Sequence, residues 1–286
     1  MITEVLSARI REYAPANALE QENVLQESMQ HYVLASLSRA GLFSEAMFHG
    51  GTCLRIIHGM SRFSEDLDFL LKRPNSGFRW GKYLQALQDD FQKEGIRLEV
   101  LDKSSSDSAV RKAFLKTDSV GTILQLALPF ERQNPRKLRI KLEVDTNPPA
   151  GSSFQTSYIS FPGIAAVTTQ TLPSGFSTKA HALLCRRYVK GRDWYDFAWY
   201  ITRKITPDFK LLRNALRQQG PWAGKKLAVT PEWFLEHLAA VIARIDWREV
   251  KADVERFLPM REQAGLDAWG KDFFAYQLEQ LRIYLQ

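Results

Sequence analysis

At 286 residues with 45% hydrophobic side chains, the chain is long enough for one elaborated domain or two associated ones and has ample material for a core. Its 39 Lys and Arg against 32 Asp and Glu leave a formal charge of +7, which favours an anionic partner such as RNA or a nucleotide. Met1-Ile2-Thr3-Glu4-Val5 offers no basic region ahead of an apolar run, no stretch approaches the length of a membrane span, and the only cysteines are Cys53 and Cys185. Secretion, membrane insertion and a disulfide or zinc framework are therefore not expected, and a cytoplasmic location is.

Helical apolar spacing runs through 3–12 and 20–40, as in Val24, Leu25, Tyr32, Val33 and Leu37, with Gly41 as a stop. A strand-turn-helix-strand unit follows over 46–71. Ala46-Met47-Phe48 is its first strand, and Gly50-Gly51 lets the backbone turn sharply and approach a phosphate. A helix from Thr52 to His58 comes next, whose first N–H groups favour an anion, and Gly59 ends it. In the extended run after Arg62-Phe63-Ser64-Glu65, Asp66 and Asp68 project to one face while Leu67 and Phe69 point into a core. Two acids on one strand face can share a divalent cation. The Ser64 hydroxyl is expected to cap or brace the turn that delivers them.

Pro74-Asn75-Ser76-Gly77 breaks the pattern before a helix near 79–94, and Ile96 to Leu101 reads as a strand. Ser104-Ser105-Ser106-Asp107-Ser108 is a polar loop, and Gly121 to Phe130 returns to strand-like residues. Between Lys137 and Asp145 the alternation is unbroken: Leu138, Ile140, Leu142 and Val144 on one face, Lys137, Arg139, Lys141, Glu143 and Asp145 on the other. This is a half-buried strand. Asn147-Pro148-Pro149-Ala150-Gly151 stops it, and a further strand is expected near 155–161. The composition then shifts toward helix, with a soft domain boundary around 165–176. Trp194, Trp199, Trp222, Trp233, Trp247 and Trp269 in the C-terminal part are expected to pack between helices.

Nucleotidyl transfer by two metal ions needs carboxylates that hold cations about 3.5–4 Å apart. Asp66, Asp68 and a third acid on a neighbouring strand meet that need, and either Glu143 or Asp145 can be the third. Lys179, Leu183 and Arg186 share one side of a helix, so a basic edge can face phosphates while apolar residues pack. Asp193 and Asp196, one turn apart in Arg192-Asp193-Trp194-Tyr195-Asp196, can cap the next helix, pair with Arg192 or Lys179, or orient a catalytic group. The chain has no G-x-x-x-x-G-K-[ST] loop, H-E-x-x-H or G-x-S-x-G. Its five histidines are scattered; His49, His58 and His181 are expected to pack or hydrogen-bond rather than ligate metal.

Taken in order, Gly50-Gly51-Thr52, Arg62-x-Ser64-x-Asp66-x-Asp68, Lys141-x-Glu143, Lys179 to Arg186 and Arg192-Asp193-x-x-Asp196 resemble the AbiEii-type nucleotidyltransferase toxins of the DNA polymerase β-like superfamily. The resemblance covers roughly 45–200. It implies an α+β fold, with a small mixed sheet bearing the acids and flanked by helices over 1–165. A helical C-terminal domain over 166–286 would contribute Lys179 and Asp193 to a nucleotide cleft. Carried over by position, Gly50, Gly51, Thr52, Ser64 and Lys179 would bind the triphosphate. Asp66, Asp68 and the third acid would bind Mg2+ or Mn2+, and Asp66, Asp68, Lys179 and Asp193 would be catalytic. The third acid matches Glu143 best, with Asp145 two residues on. Members of the family act as toxins in toxin–antitoxin or phage-defence systems, several adding nucleotides to the 3′ end of tRNA, and some are silenced by phosphorylation of a serine at the place of Ser64.

The reading is a magnesium-dependent enzyme that transfers a nucleoside monophosphate from an NTP to an RNA 3′ hydroxyl, with tRNA the leading acceptor and a cognate antitoxin as partner. Transfer to a protein or small molecule, and a nucleotide- or RNA-binding regulator without turnover, are the alternatives.

Overall fold

The computed structural model of the protein describes residues 2–101, 119–127 and 137–285. The polar loop expected at 104–108 and the last residues of the strand expected at 121–130 lie outside them. Two compact units are present: Met1–Gly59, Phe63–Pro148 and Gln155–Thr169 form the first, and Met60–Arg62, Pro149–Phe154 and Gln170–Gln286 form the second.

The first unit is built on α1 (Ile2–Tyr13), α2 (Ala18–Arg39), β1 (Ala46–His49), α3 (Gly50–His58), β2 (Leu67–Leu71), α4 (Gly81–Lys93), β3 (Arg97–Leu101), β4 (Ser119–Ala127), β5 (Lys137–Asp145), β6 (Phe154–Ile159) and β7 (Ala165–Gln170). The strands form one seven-stranded sheet in the order β3-β4-β5-β2-β1-β7-β6. β2 runs parallel to β5 and β1 parallel to β7, whereas β1–β2, β3–β4 and β4–β5 are antiparallel. The sheet is therefore mixed, and the protein is α+β.

The alternation in β5 is realised as expected, with Ile140, Leu142 and Val144 fully buried and Leu138 nearly so. Each such side chain contributes about 1.5–3 kcal/mol relative to exposure. Leu67, Phe69 and Leu71 of β2 join the same core, together with Phe48, Met29, Val33 and Leu37. One strand departs from expectation: β7 lies where the change in composition suggested a domain boundary. Val167 and Thr169 are fully buried there, and Phe48 of β1 stands in register with Thr169.

The second unit is helical: α5 (Leu172–Cys185), α6 (Gly191–Thr202), α7 (Phe209–Gln218), α8 (Pro231–Arg244), α9 (Trp247–Glu255), α10 (Met260–Gln263) and α11 (Lys271–Leu285). Side-chain caps start three of them. Asp208 accepts from Leu211 N, Thr230 from Trp233 N and Asp246 from Arg248 N, each satisfying an orphan amide of a first turn. Trp247 stacks on Phe274 at 4.4 Å and Trp194 meets both edge-on, while Phe176 stacks on Tyr200 at 4.7 Å. Trp194 and Trp247 pack between helices, as expected.

Candidate active site

The acidic cluster belongs to the first unit and rests on strand register. Asp68 stands beside His49 of β1 on one side and beside Glu143 of β5 on the other. Cross-strand partners share a face and neighbouring strands are about 4.8 Å apart, so His49, Asp68 and Glu143 form a row across the sheet. Asp66 immediately precedes β2, with the same parity as Asp68. Asp145 is in register with Leu70 instead, and its Oδ1 accepts the Asn147 N–H at 2.9 Å, so it closes the turn that ends β5.

The glycine turn meets this row directly. Gly50 has φ +79, a conformation side-chain-bearing residues rarely adopt, and a Cβ built on it would lie 2.9 Å from Asp68 Oδ2. The helix was expected to begin at Thr52; it begins at Gly50, with the extended His49 before it. Thr52 is buried, and its hydroxyl donates to the Asp66 carbonyl. That bond ties the helix start to the acid-bearing turn.

The turn is braced from α2 as well. Gln30 Nε2 donates to the carbonyls of Ser64 and Glu65, both at 2.9 Å, and Gln26 Nε2 donates to the Arg139 carbonyl at 2.8 Å. Among the described residues the Ser64 hydroxyl has no hydrogen-bond partner, so the bracing expected of it is done by Gln30 and Thr52. α3 is held in turn by Arg55, whose Nε donates to Glu27 Oε2 at 2.6 Å and whose guanidinium lies 4.3 Å from the centre of the Phe63 ring.

Lys141 sits among these acids, its Nζ 2.6 Å from Glu143 Oε2. Burial alone would lower its pKa, but the bond to Glu143 and the charges of Glu143, Asp66 and Asp68 raise it above the ordinary lysine value. The donors are hard oxygens, which suit Mg2+ or Mn2+. As they stand, no three His, Cys, Asp or Glu side chains among the described residues converge on one point, and Glu143 is engaged by Lys141. Asp66, Asp68 and Glu143 supply oxygen donors of the kind a hard cation takes, brought near one another by the β2–β5 register.

A second cluster lies wholly in the helical unit. Asp196 is fully buried and receives Arg62 Nε at 2.6 Å and Arg62 Nη2 at 2.7 Å, a bidentate pair. Lys179 Nζ is 2.7 Å from both Asp193 Oδ1 and Asp196 Oδ2, and Arg186 Nε is 3.1 Å from Asp193 Oδ2. Burial works against a charged Asp193, but Lys179, Arg186 and Lys190 hold it well below the usual carboxylate range. Burial likewise opposes the Lys179 charge, and Asp193 and Asp196 outweigh it and raise its pKa. For Lys190 burial, with the charges of Arg192, Lys179 and Arg186, outweighs the attraction of Asp193 and pulls it down to about 8. Arg192, one of the partners considered for Asp193, instead lies 3.8 Å from Asp253 and stacks on Phe257. His181 bonds to the Gln219 carbonyl at 3.1 Å.

Sequence reasoning missed Gln26 and Gln30, the Arg55–Glu27 anchor, and Arg62 as the partner of Asp196. Gln30 carried a usable signal: a polar residue placed between Met29 and Val33 on the apolar side of a long helix. Both cysteines are free; burial pushes the Cys185 thiol up to about 11 and the Cys53 thiol higher still, so neither is a reactive nucleophile. No helix among the described residues is long and apolar enough to cross a membrane.

A mixed sheet with paired carboxylates beside a glycine turn at a helix start is the frame of a nucleotidyltransferase. The family model for the "Nucleotidyl transferase AbiEii toxin, Type IV TA system" matches residues 32–275, and the chain belongs to this family of nucleotidyltransferases. The match reaches well beyond the 45–200 that carry the motifs. Among solved structures, a candidate nucleotidyltransferase from Helicobacter pylori superposes with a TM-score of 0.51 at 14% identity, covering 91% of this chain and 95% of that one. JHP933 from Helicobacter pylori gives a TM-score of 0.49 at 15% identity, covering 93% and 91%. No curated protein sequence matches the chain.

Proposed function

We propose that this nucleotidyltransferase moves a nucleoside monophosphate from an NTP to the 3′ hydroxyl of an RNA, with tRNA as the leading acceptor, as the toxin of a toxin–antitoxin pair. The attacking 3′ oxygen bonds to the α-phosphorus, the bond from that phosphorus to the β-phosphate oxygen breaks, and pyrophosphate leaves. The observation that carries the reading is the register that sets Asp68 beside Glu143, with Asp66 at the head of the same strand and Gly50 against the Asp68 carboxylate. Asp66 and Asp68 hold magnesium in this reading, with Glu143 as third donor. The metal supplies Lewis acidity and charge neutralisation when bound.

The chain's own residues set the geometry. Gly50 and Gly51 let backbone amides at the start of α3 approach the triphosphate, and Thr52 and Gln30 hold the acid turn in place. In the helical unit, Arg62, Lys179, Arg186 and Lys190 exceed Asp193 and Asp196 in charge, which supports an anion-binding role for Lys179 and a positioning role for Asp193. The formal charge of +7 supports an RNA acceptor.

The test is to incubate the purified protein with each labelled NTP, magnesium and either total RNA or total protein, and to resolve the products. Label in the tRNA band, lost with EDTA and with Asp66→Ala or Asp68→Ala while the thermal melt stays near wild type, is the expected result. Label in protein or a small molecule would replace the acceptor, and near-normal transfer by both variants would remove the proposed metal site.

A further inference from the structure

Strand β6 ends the sheet, and among the described residues β7 is its one sheet neighbour. Natural edge strands are normally blunted by lysine, proline or a bulge, because their open amides and carbonyls template pairing with another chain. The opposite edge, β3, carries Arg97 and Glu99. β6 reads Phe154-Gln155-Thr156-Ser157-Tyr158-Ile159 and carries neither lysine nor proline. From Thr146 to Thr178 there is no Asp, Glu, Lys or Arg, in a chain whose charged residues make up 25%.

The side chains alternate in the way that leaves an adhesive face. Ile159 is buried, and Ser157 Oγ lies 2.9 Å from Thr169 Oγ1 of β7. On the other parity Thr156 is exposed, Phe154 is 49% exposed and Tyr158 is 70% exposed; Ile164, just before β7, is 86% exposed.

We propose that β6 is a self-association edge, which pairs antiparallel with β6 of a second copy in a register centred on Thr156. In that register Thr156 opposes its own copy, and Phe154 opposes Tyr158 twice, once on each side of the two-fold axis. Aromatic cross-strand pairs on one face stabilise such ladders. The charge pattern selects a second copy over a different protein. Two chains of net +7 repel, and an uncharged strip is where they approach at least cost, whereas an acidic partner would find no cation on this edge to match. The contact is isologous and uses the β6 edge of both copies, so it closes at a dimer. A six-residue strand buries less than a standard interface, so the dimer is concentration-dependent.

Sedimentation velocity on the full-length protein tests this. The wild type is expected to shift from monomer to dimer by about 100 µM, and Tyr158→Lys and Thr156→Pro are each expected to weaken the dimer at least about tenfold. Tyr158 is exposed, so the lysine variant keeps the test valid if the proline variant fails to fold. Under oxidation Thr156→Cys should cross-link to itself, since directly opposed antiparallel residues have Cα atoms about 4.5–5.5 Å apart, within disulfide range. Ser160→Cys should not, because in this register it opposes Ser152. A wild type that stays monomeric throughout, cross-linking at Ser160→Cys but not at Thr156→Cys, or protection of β6 amides only when another protein is added would each overturn the proposal.

Discussion

A methyl group at Gly50 would meet Asp68 Oδ2 at 2.9 Å and would sit on a backbone held at φ +79. The second effect costs about 1–2 kcal/mol and the first displaces the carboxylate itself. Gly50→Ala is therefore expected to lose more than about tenfold in turnover, which exceeds what its modest loss of stability can explain. Turnover near wild type with an unchanged melt would show that Asp68 is not needed in its present position. Glu143 and Asp145 separate on similar grounds. Glu143 stands beside Asp68, whereas Asp145 accepts from Asn147 N and finishes the strand. Glu143→Gln should abolish transfer and Asp145→Ala should cost chiefly stability, about 1 kcal/mol for one hydrogen bond. The reverse ranking would move the third donor one strand repeat toward the end of β5.

Among the elements, β5 was legible because its alternation is unbroken and both faces differ in chemistry. That it lies beside β2 was expected from the need for a third acid next to Asp66 and Asp68 and not from any local pattern, since the β2–β5 pairing joins residues 75 positions apart. β7 was missed because Ala165 and Ala166 dilute a short β-branched run and the following helix dominates the composition. The packing of Trp194 and Trp247 was read correctly because a large aromatic ring in a helical segment has more apolar area to bury than a surface role requires.

Gly191 has a packing role: a Cβ there would lie 1.9 Å from the Val250 carbonyl oxygen, so the glycine lets α6 approach α9. Lys190, at the start of α6, carries a testable consequence. Burial depresses its pKa to about 8, so above that pH the folded chain releases a proton that the unfolded chain keeps until near 10.5. In that window the unfolded state binds more protons, and this group makes stability rise with pH. Below it both states are charged and the folded state carries the full burial cost. Cys185, with its thiol pushed up to about 11, works in the opposite direction, so the informative quantity is a difference between proteins. Urea unfolding of Lys190→Met should show a gain of about 1–3 kcal/mol near pH 7 that shrinks toward pH 10. A gain that does not change with pH would mean Lys190 keeps its ordinary pKa.

At the scale of the whole chain, the helical unit is completed by residues from far upstream: Met60–Arg62 and Pro149–Phe154 belong with Gln170–Gln286. Arg62 is the consequential one. It is 2% exposed and gives Asp196 a bidentate pair, while Lys179 bonds to the same fully buried carboxylate and to Asp193. Removing one member of a buried network leaves an under-compensated charge, at a cost of about 3–5 kcal/mol. A fragment beginning at Gln170 lacks Arg62 and keeps Asp196, so it should unfold at much lower urea than the same segment in the intact protein. Arg62→Met in the full chain should show a loss of the same size. Replacing both partners, as in Arg62→Met with Asp196→Leu, should recover much of that loss, because the uncompensated charge is gone. Circular dichroism with urea titration reads all three. A fragment as stable as the intact unit, or a double variant no better than the single one, would show that the Arg62–Asp196 pair does not hold the helical unit together.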